Sequence, residues 1–423
     1  MNISRRDLMR LAGLGVFAGP ASGWMGSLAA RAAEGATTPG QKRKSCILLY
    51  MNGGPSHVDT FDIKPEQSEF KAINTAVPGI QVSEHLPLLA KQMKDLAIIR
   101  GMSTTEGSHA RANYMMHTGY REGVGGVIHP TLGSLASATI GDKDPELPNF
   151  IAIDSGGKGS GKRAFHVSYL GPEHSPLQVR DASKGVENLK PAGTIADLDR
   201  SAALLDEMEQ GFLTRTHGEP VEAHREAYKS AVRLMKSSKA KAFDIAAEPE
   251  SVKKLYGDGK FGEGCMLARR LVETGVPFVE VDLGGWDTHQ NNFERVKDLS
   301  ATLDRGMSAL IQDLRSHNLL DDTLVVWMGD FGRDPKIKNS GRGHYPRAWS
   351  TVLAGGGLKT GRVIGKTDKT GAAVEQRVVN VKDFMATICL ALNIDVNKEF
   401  ITRTGRPMRA VDKGENAIKE LLA

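Results

Sequence analysis

The sequence predicts an α/β fold, with a central, mostly parallel sheet sandwiched by helices and an insertion in mid-chain. Three observations predict it. Four short apolar runs, Cys46-Ile-Leu-Leu-Tyr-Met51, Leu96-Ala-Ile-Ile-Arg100, Phe278-Val-Glu-Val-Asp282 and Thr323-Leu-Val-Val-Trp-Met328, have the length and composition of buried strands. Between the last two, apolar residues at Val296, Leu299, Leu303, Met307, Leu310 and Leu314 recur at the three-and-four spacing of an amphipathic helix. Strand, helix and strand in succession form the crossover unit that joins parallel neighbours.

The elements follow in order along the chain. It opens with Ser4-Arg5-Arg6-Asp7-Leu8-Met9-Arg10, a weakly apolar stretch rich in Gly and Ala from Leu11 to Ala30, and the small-residue site Ala30-Arg31-Ala32. This is the layout of a signal peptide with a twin-arginine n-region over residues 1–32. It predicts the twin-arginine export machinery as a partner and a periplasmic or otherwise exported mature protein. Gly, Pro and Ser dilute the apolar stretch, whereas a spanning helix needs ~20 mostly apolar residues. No stable membrane span is therefore expected in the mature form.

A polar linker over 33–45 leads into a single domain over 46–423, which begins with the first strand. The second strand runs through Gly101-Met-Ser-Thr-Thr-Glu-Gly-Ser108 into a helix from His109 to about His117, with Ser108 at the N-cap position. From about 154 to 249 the composition shifts to Gly, Lys, Ser and Ala, with one long charged helical stretch over 219–247. That composition predicts an insertion or cap on the sheet. Val381-Lys-Asp-Phe-Met-Ala-Thr-Ile-Cys-Leu-Ala-Leu predicts a core helix ending at Asn393.

Composition narrows the function classes. The 423 residues are 40% hydrophobic and 25% charged, as in a globular protein able to bury a sizeable core. The net charge of +5 is spread over both signs, without basic blocks or interleaved aromatics, so no nucleic-acid partner is expected. Cys46, Cys265 and Cys389 are widely separated in apolar contexts and predict buried free thiols. None starts a Cys-x-Pro-x-Arg sequence, so formylglycine chemistry has no residue to work on.

In an open parallel sheet, ligands collect beyond the carboxyl ends of the strands. Four polar loops hold that position: 52–62, 103–109, 284–291 and 329–344. Asp282 at its strand end, with Asp287, His289, Asp330 and His344 in these loops, offers carboxylates and imidazoles that are ligand types for Zn²⁺, Mn²⁺, Mg²⁺ or Ca²⁺. Taken singly, each reads as a cap, turn or surface residue; together at successive strand ends they predict a shared metal site. Two ions about 4 Å apart clamp the attacking and leaving oxygens of a phosphoryl or sulfuryl group. Arg333 and Arg342 bring fork-shaped donors for non-bridging oxygens. Ser108 reads either as a helix cap or as a hydroxyl meeting an anionic ester at the positive end of a helix.

Five segments carry a resemblance: residues 53–65, 107–119, 284–289 (Gly-Gly-Trp-Asp-Thr-His), 329–335 (Gly-Asp-Phe-Gly-Arg-Asp-Pro) and 341–346 (Gly-Arg-Gly-His-Tyr-Pro). They resemble the bacterial exported family called domain of unknown function 1501, and 353–361 and 365–368 are similar to it too. That family is regarded as a remote member of the alkaline phosphatase superfamily, with sulfatases and phosphomutases. The resemblance implies an alkaline-phosphatase-like mixed sheet and a two-metal site. Asp282 and Asp287 keep the five-residue step between two carboxylate ligands of alkaline phosphatase. Asp330 is similar to the aspartate of the superfamily's Asp-His pair, and His344 to its later histidine ligand.

The departures are equally specific. Asn52 stands where the first-strand aspartate is expected, and Phe331 where the pair has histidine. Counting back from Thr118-Gly119, the serine nucleophile's place falls on His109, one residue after Ser108. Asp330 stands where the family usually has glutamate, and Gly343 where an aspartate precedes the histidine. Three functions remain open. The first is an exported hydrolase of phosphate or sulfate esters, such as those of sugars or polysaccharides, with Ser108 or activated water as nucleophile and His109 or His289 as acid/base. The second is a degenerate relative that binds an anion, glycan or envelope protein without turnover. The third is a phosphomutase-like enzyme, against which export argues.

Overall fold

The computed structural model describes residues 43–154, 168–213 and 219–422. The expected signal peptide and nearly all of the expected linker lie outside the described residues. Arg43–Ala423 forms one compact unit.

Eight strands build the main sheet: β1 (Ser45–Met51), β2 (Leu96–Met102), β3 (Phe150–Asp154), β4 (Leu177–Val179), β5 (Phe278–Leu283), β6 (Thr323–Gly329), β7 (Trp349–Gly355) and β8 (Arg362–Ile364). Their spatial order is β8-β2-β7-β6-β1-β5-β3-β4. β1 lies at the centre, parallel to both β5 and β6. β7 runs antiparallel between β2 and β6, so the sheet is mixed but mostly parallel.

Alternation along β1 explains the layering. Ile47, Leu49 and Met51 face one side, against Leu267 and Leu271 of α7 (Lys260–Glu273) and Val296, Leu303, Met307 and Leu310 of α8 (Asn292–Ser316). Cys46, Leu48 and Tyr50 face the other side, with Met115 and Met116 of α2 (His109–Thr118), Leu132 and Leu135 of α3 (Leu132–Thr139), and Phe384 and Ile388 of α9 (Val381–Ala391). A strand covered on both faces reads as a near-continuous apolar run, and β1 does so from Cys46 to Met51. The three thiols are buried and free, and burial pushes that of Cys389 up to about 12. Asn393 takes positive φ just past α9, close to its expected end.

The stretch expected as an insertion does more than cap the sheet, because it supplies β4 at the sheet edge. It also forms α4 (Ile195–Leu213) and α5 (Glu219–Lys236). The helix expected over 219–247 stops at Lys236, and two short 3₁₀ turns follow, with Ser237 and Asp244 each accepting a hydrogen bond from a backbone N–H within its turn. A five-residue helix, α1 (Pro87–Lys91), is pinned by Asp304 of α8, whose carboxylate accepts from the N–H groups of Leu88 and Leu89 at 2.9 and 2.8 Å. α6 (Glu250–Tyr256) completes the α-helices among the described residues. Among the described residues no helix is long and apolar enough to cross a membrane.

Candidate metal centre

The loops after β1, β2, β5 and β6 meet beyond the carboxyl ends of their strands. Two glycines permit the approach. Gly53 has φ +110°, and a Cβ there would lie 2.4 Å from the backbone nitrogen of Asp287. At Gly341 a Cβ would fall 1.9 Å from the carbonyl carbon of His289. Any larger residue would force the segments carrying Asp287, His289 and His344 apart.

Three imidazoles converge on one carboxylate oxygen there. Asp287 Oδ1 lies 3.3 Å from His109 Nε2, 3.0 Å from His289 Nε2 and 3.4 Å from His344 Nε2. The last two nitrogens are 3.0 Å apart. Zinc bonds of ~2.0–2.2 Å in a tetrahedron space their donors about 3.3–3.5 Å apart, which these separations approach. The buried His109 Nε2 has no hydrogen-bond partner, as expected of an atom whose partner is an ion. His109, Asp287 and His344 also form a group of possible metal-ligand atoms lying within 4.8 Å of one another. The residues therefore fit a divalent metal. Asp287 is one-third exposed and His289 half exposed, so the cluster opens to solvent.

The other ring nitrogens are held from behind. His109 Nδ1 meets Asp330 Oδ2 at 2.5 Å, and His344 Nδ1 meets the carbonyl oxygen of Gly107 at 2.8 Å. These contacts leave each Nε2 turned towards Asp287. Burial works against charge on His109, but the adjacent carboxylates of Asp287 and Asp330 overturn that and raise its pKa to about 9 in the metal-free protein. Burial likewise disfavours the Asp287 carboxylate, yet contacts with His109, His344 and Arg333 hold it well below the usual carboxylate range. His289 is lowered, chiefly by burial.

Several expected roles change place. Asp330, expected as a ligand, has both carboxylate oxygens engaged, one by His109 and the other by the Tyr50 hydroxyl. His109, expected as an acid/base, lies within the cluster, its Nε2 3.3 Å from Asp287 Oδ1. Asp282 is buried within β5, in register with Tyr50 of β1 and Asp154 of β3, five residues before Asp287 and outside the cluster. Arg333, expected to bind ester oxygens, is fully buried and bonds the carbonyls of Gly53, Gly54 and Arg342 and the Asp287 carboxylate. Arg342 is just as buried, in a two-pronged pair with Asp59 at 2.7 and 2.9 Å. Both forks are spent inside the protein. Ser108 is the N-cap of α2 by position, but its side chain makes no cap hydrogen bond. Phe331 stacks on His109 at 4.8 Å and packs against His344. Tyr50 and Asn113, linked at 3.1 Å, join the site although sequence reading passed over them. Asn113 carried one signal, its place one helical turn after His109.

Among solved structures, the chain is similar to the lipoteichoic acid synthase LtaP from Listeria monocytogenes at 10% identity, covering 91% of this chain and 80% of that one with a TM-score of 0.38. It is similar to the PsFucS1 sulfatase from Pseudoalteromonas sp. at 11% identity, with coverages of 87% and 70% and a TM-score of 0.40. A third similar structure is the TAB5 alkaline phosphatase, in a mutant with magnesium bound, at 11% identity, coverages of 84% and 100% and a TM-score of 0.40. No curated protein matches the chain. The family model described as "Protein of unknown function (DUF1501)" matches residues 43–422, and the chain belongs to that family.

Proposed function

We propose that this protein is an exported, metal-dependent hydrolase of phosphate or sulfate esters, acting on an anionic ester such as a sulfated or phosphorylated glycan. One observation carries the reading: three imidazole nitrogens lie 3.0–3.4 Å from the same Asp287 oxygen. His109, His289, His344 and Asp287 would hold one ion. Three imidazoles to one carboxylate favour zinc-like ions over magnesium or calcium, which prefer all-oxygen sites. When bound, such an ion acts as a Lewis acid on a phosphoryl or sulfuryl oxygen and lowers the pKa of water.

The chain's own residues supply the rest. Ser108, which directly precedes His109 and whose hydroxyl is unused by the helix it precedes, supplies the nucleophile. The N-terminal end of α2 gives it a positive electrostatic setting. His289, half exposed and lowered in pKa, is the ligand most able to exchange for substrate or to move a proton. Export rests on the Arg5-Arg6 segment alone. A second reading, anion or glycan binding without turnover, is favoured by Phe331, whose ring packs against two of the ligand imidazoles where the resemblance expects a histidine.

Elemental analysis of the purified, folded protein after loading with Zn²⁺ or Mn²⁺ is the test, with about one equivalent per chain expected. Less than roughly a tenth of an equivalent would defeat the metal reading, because preorganised ligands retain their ion through purification. With metal bound, a panel of aryl phosphate, phosphodiester and sulfate esters separates hydrolase from binder.

A further inference from the structure

We propose that Tyr50 and Asp330 are positioning residues that clamp the His109 imidazole from behind and so aim its Nε2 at the metal. The inference rests on the metal centre proposed above. It departs from the role the resemblance implies for Asp330, which would be direct coordination.

The clamp is assembled from three elements. β1 supplies Tyr50, fully buried, with its ring tilted against His117 at 4.4 Å. Asp330 follows β6, two residues beyond Met328, the register partner of Tyr50 on the neighbouring strand. α2 supplies His109 and, one turn later, Asn113. The Tyr50 hydroxyl donates to Asp330 Oδ1 and accepts from Asn113 Nδ2 at 3.1 Å. Asp330 Oδ2 meets His109 Nδ1 at 2.5 Å. Asp330 is 1% exposed, so an unpartnered oxygen there would carry a desolvation cost, and the tyrosine removes it.

The chemistry follows from which nitrogen holds the proton. A carboxylate on Nδ1–H fixes the tautomer with its lone pair on Nε2, orients the ring and makes Nε2 more basic. Phe331, stacked on the same ring at an interplanar angle of 29°, sets its plane. His344 has only a neutral carbonyl at its Nδ1, so its affinity for the ion does not depend on Asp330. An Asp330 that coordinated metal itself would give up its contact with Tyr50 or with His109, depending on the oxygen used.

The test uses the purified full chain, with Zn²⁺ and Co²⁺ dissociation constants from chelator competition and the Co²⁺ absorption spectrum. Asp330→Asn should weaken binding about 10–100-fold and Tyr50→Phe by up to about 10-fold, with stoichiometry unchanged. Both effects should vanish in a His109→Ala background, as coupling through one imidazole requires. An Asp330→Asn loss of equal size with and without His109 would overturn the proposal, because Asp330 would then be a ligand. So would an unchanged affinity in both single variants. If Asp330→Asn does not fold, Tyr50→Phe alone, judged in both backgrounds, decides. His344→Ala and Asp287→Ala serve as separate controls: should they too leave metal binding intact, the metal centre itself fails, not the clamp alone.

Discussion

Asp287→Ala has two consequences that are separable by measurement. The carboxylate is the common neighbour of three imidazoles and also the counter-charge of Arg333, whose guanidinium lies 2.5 Å away and is fully buried. Removing one partner of a buried ion pair costs about 3–5 kcal/mol. Asp287 is one-third exposed, and Arg333 keeps its bonds to the carbonyls of Gly53, Gly54 and Arg342, so screening and these acceptors reduce the figure to about 2 kcal/mol. In a chain of this size that is a fall of about 2–4 °C in the thermal midpoint of the metal-free protein. Metal affinity should fall by more than about 100-fold, since loss of a partner behind a ligand costs 10–100-fold and loss of a ligand costs more.

Midpoints measured in chelator for wild type, Asp287→Ala, Arg333→Met and the double variant, with zinc titrations in parallel, read both effects. The double variant should recover much of the stability lost in Asp287→Ala, because the stranded charge is gone. An unchanged metal-free midpoint in Asp287→Ala would refute the dependence of Arg333 on this carboxylate. A retained zinc affinity would refute the ligand assignment.

Two further outcomes follow from the same network. Asp59→Ala strands Arg342, with both groups fully buried, and should cost about 3–5 kcal/mol, read by denaturant unfolding; a loss under 1 kcal/mol would contradict the pairing. Burial raises the pKa of Asp304 from 3.8 to about 6, against the two N–H groups of α1 that lower it. The folded chain therefore holds this proton more tightly than the unfolded chain, an advantage present below pH 4 and lost as pH rises through 6. Two units amount to about 3 kcal/mol, so the stability of Asp304→Asn relative to wild type should climb by up to that amount between pH 4 and 7 and then level off; a flat difference would contradict the shift.

How far the sequence discloses this molecule depends on whether a signal is local. β1, β2, β5 and β6 are continuous apolar runs, and a strand covered on both faces announces itself that way. β7 is antiparallel and β4 has only three residues, so neither leaves a comparable run with a parallel crossover. Asp287, His289 and His344 were legible because they sit in polar loops after strands. Tyr50 was not, because in an apolar run its ring reads as core and its hydroxyl acts only once Asp330 arrives from a strand more than 270 residues away. The burial of the two arginines is hidden from the sequence for a related reason. A guanidinium in a glycine-rich loop looks available, whereas here the neighbouring loops turn their carbonyls onto it.

The internal use of Arg333 and Arg342 bears on how an anionic ester would be drawn in. Neither guanidinium fork points at the opening, and the N–H of Ser108 at the start of α2 is already taken by the Glu106 carboxylate at 2.9 Å. In the metal-free protein His109 is protonated at neutral pH, so the pocket's two carboxylates, Asp287 and Asp330, are balanced by the Arg333 guanidinium and the His109 imidazolium. A divalent ion that takes the place of the His109 proton makes the pocket net positive. The ion is then the main source of attraction for an anion as well as of Lewis acidity, and in a partly desolvated site that charge acts at close range. The metal-free protein should consequently show no preference for phosphate or sulfate over a neutral analogue. Equal retention of a sulfated glycan by metal-free and metal-loaded protein would mean that recognition lies elsewhere on the surface, away from the His109, His289 and His344 cluster.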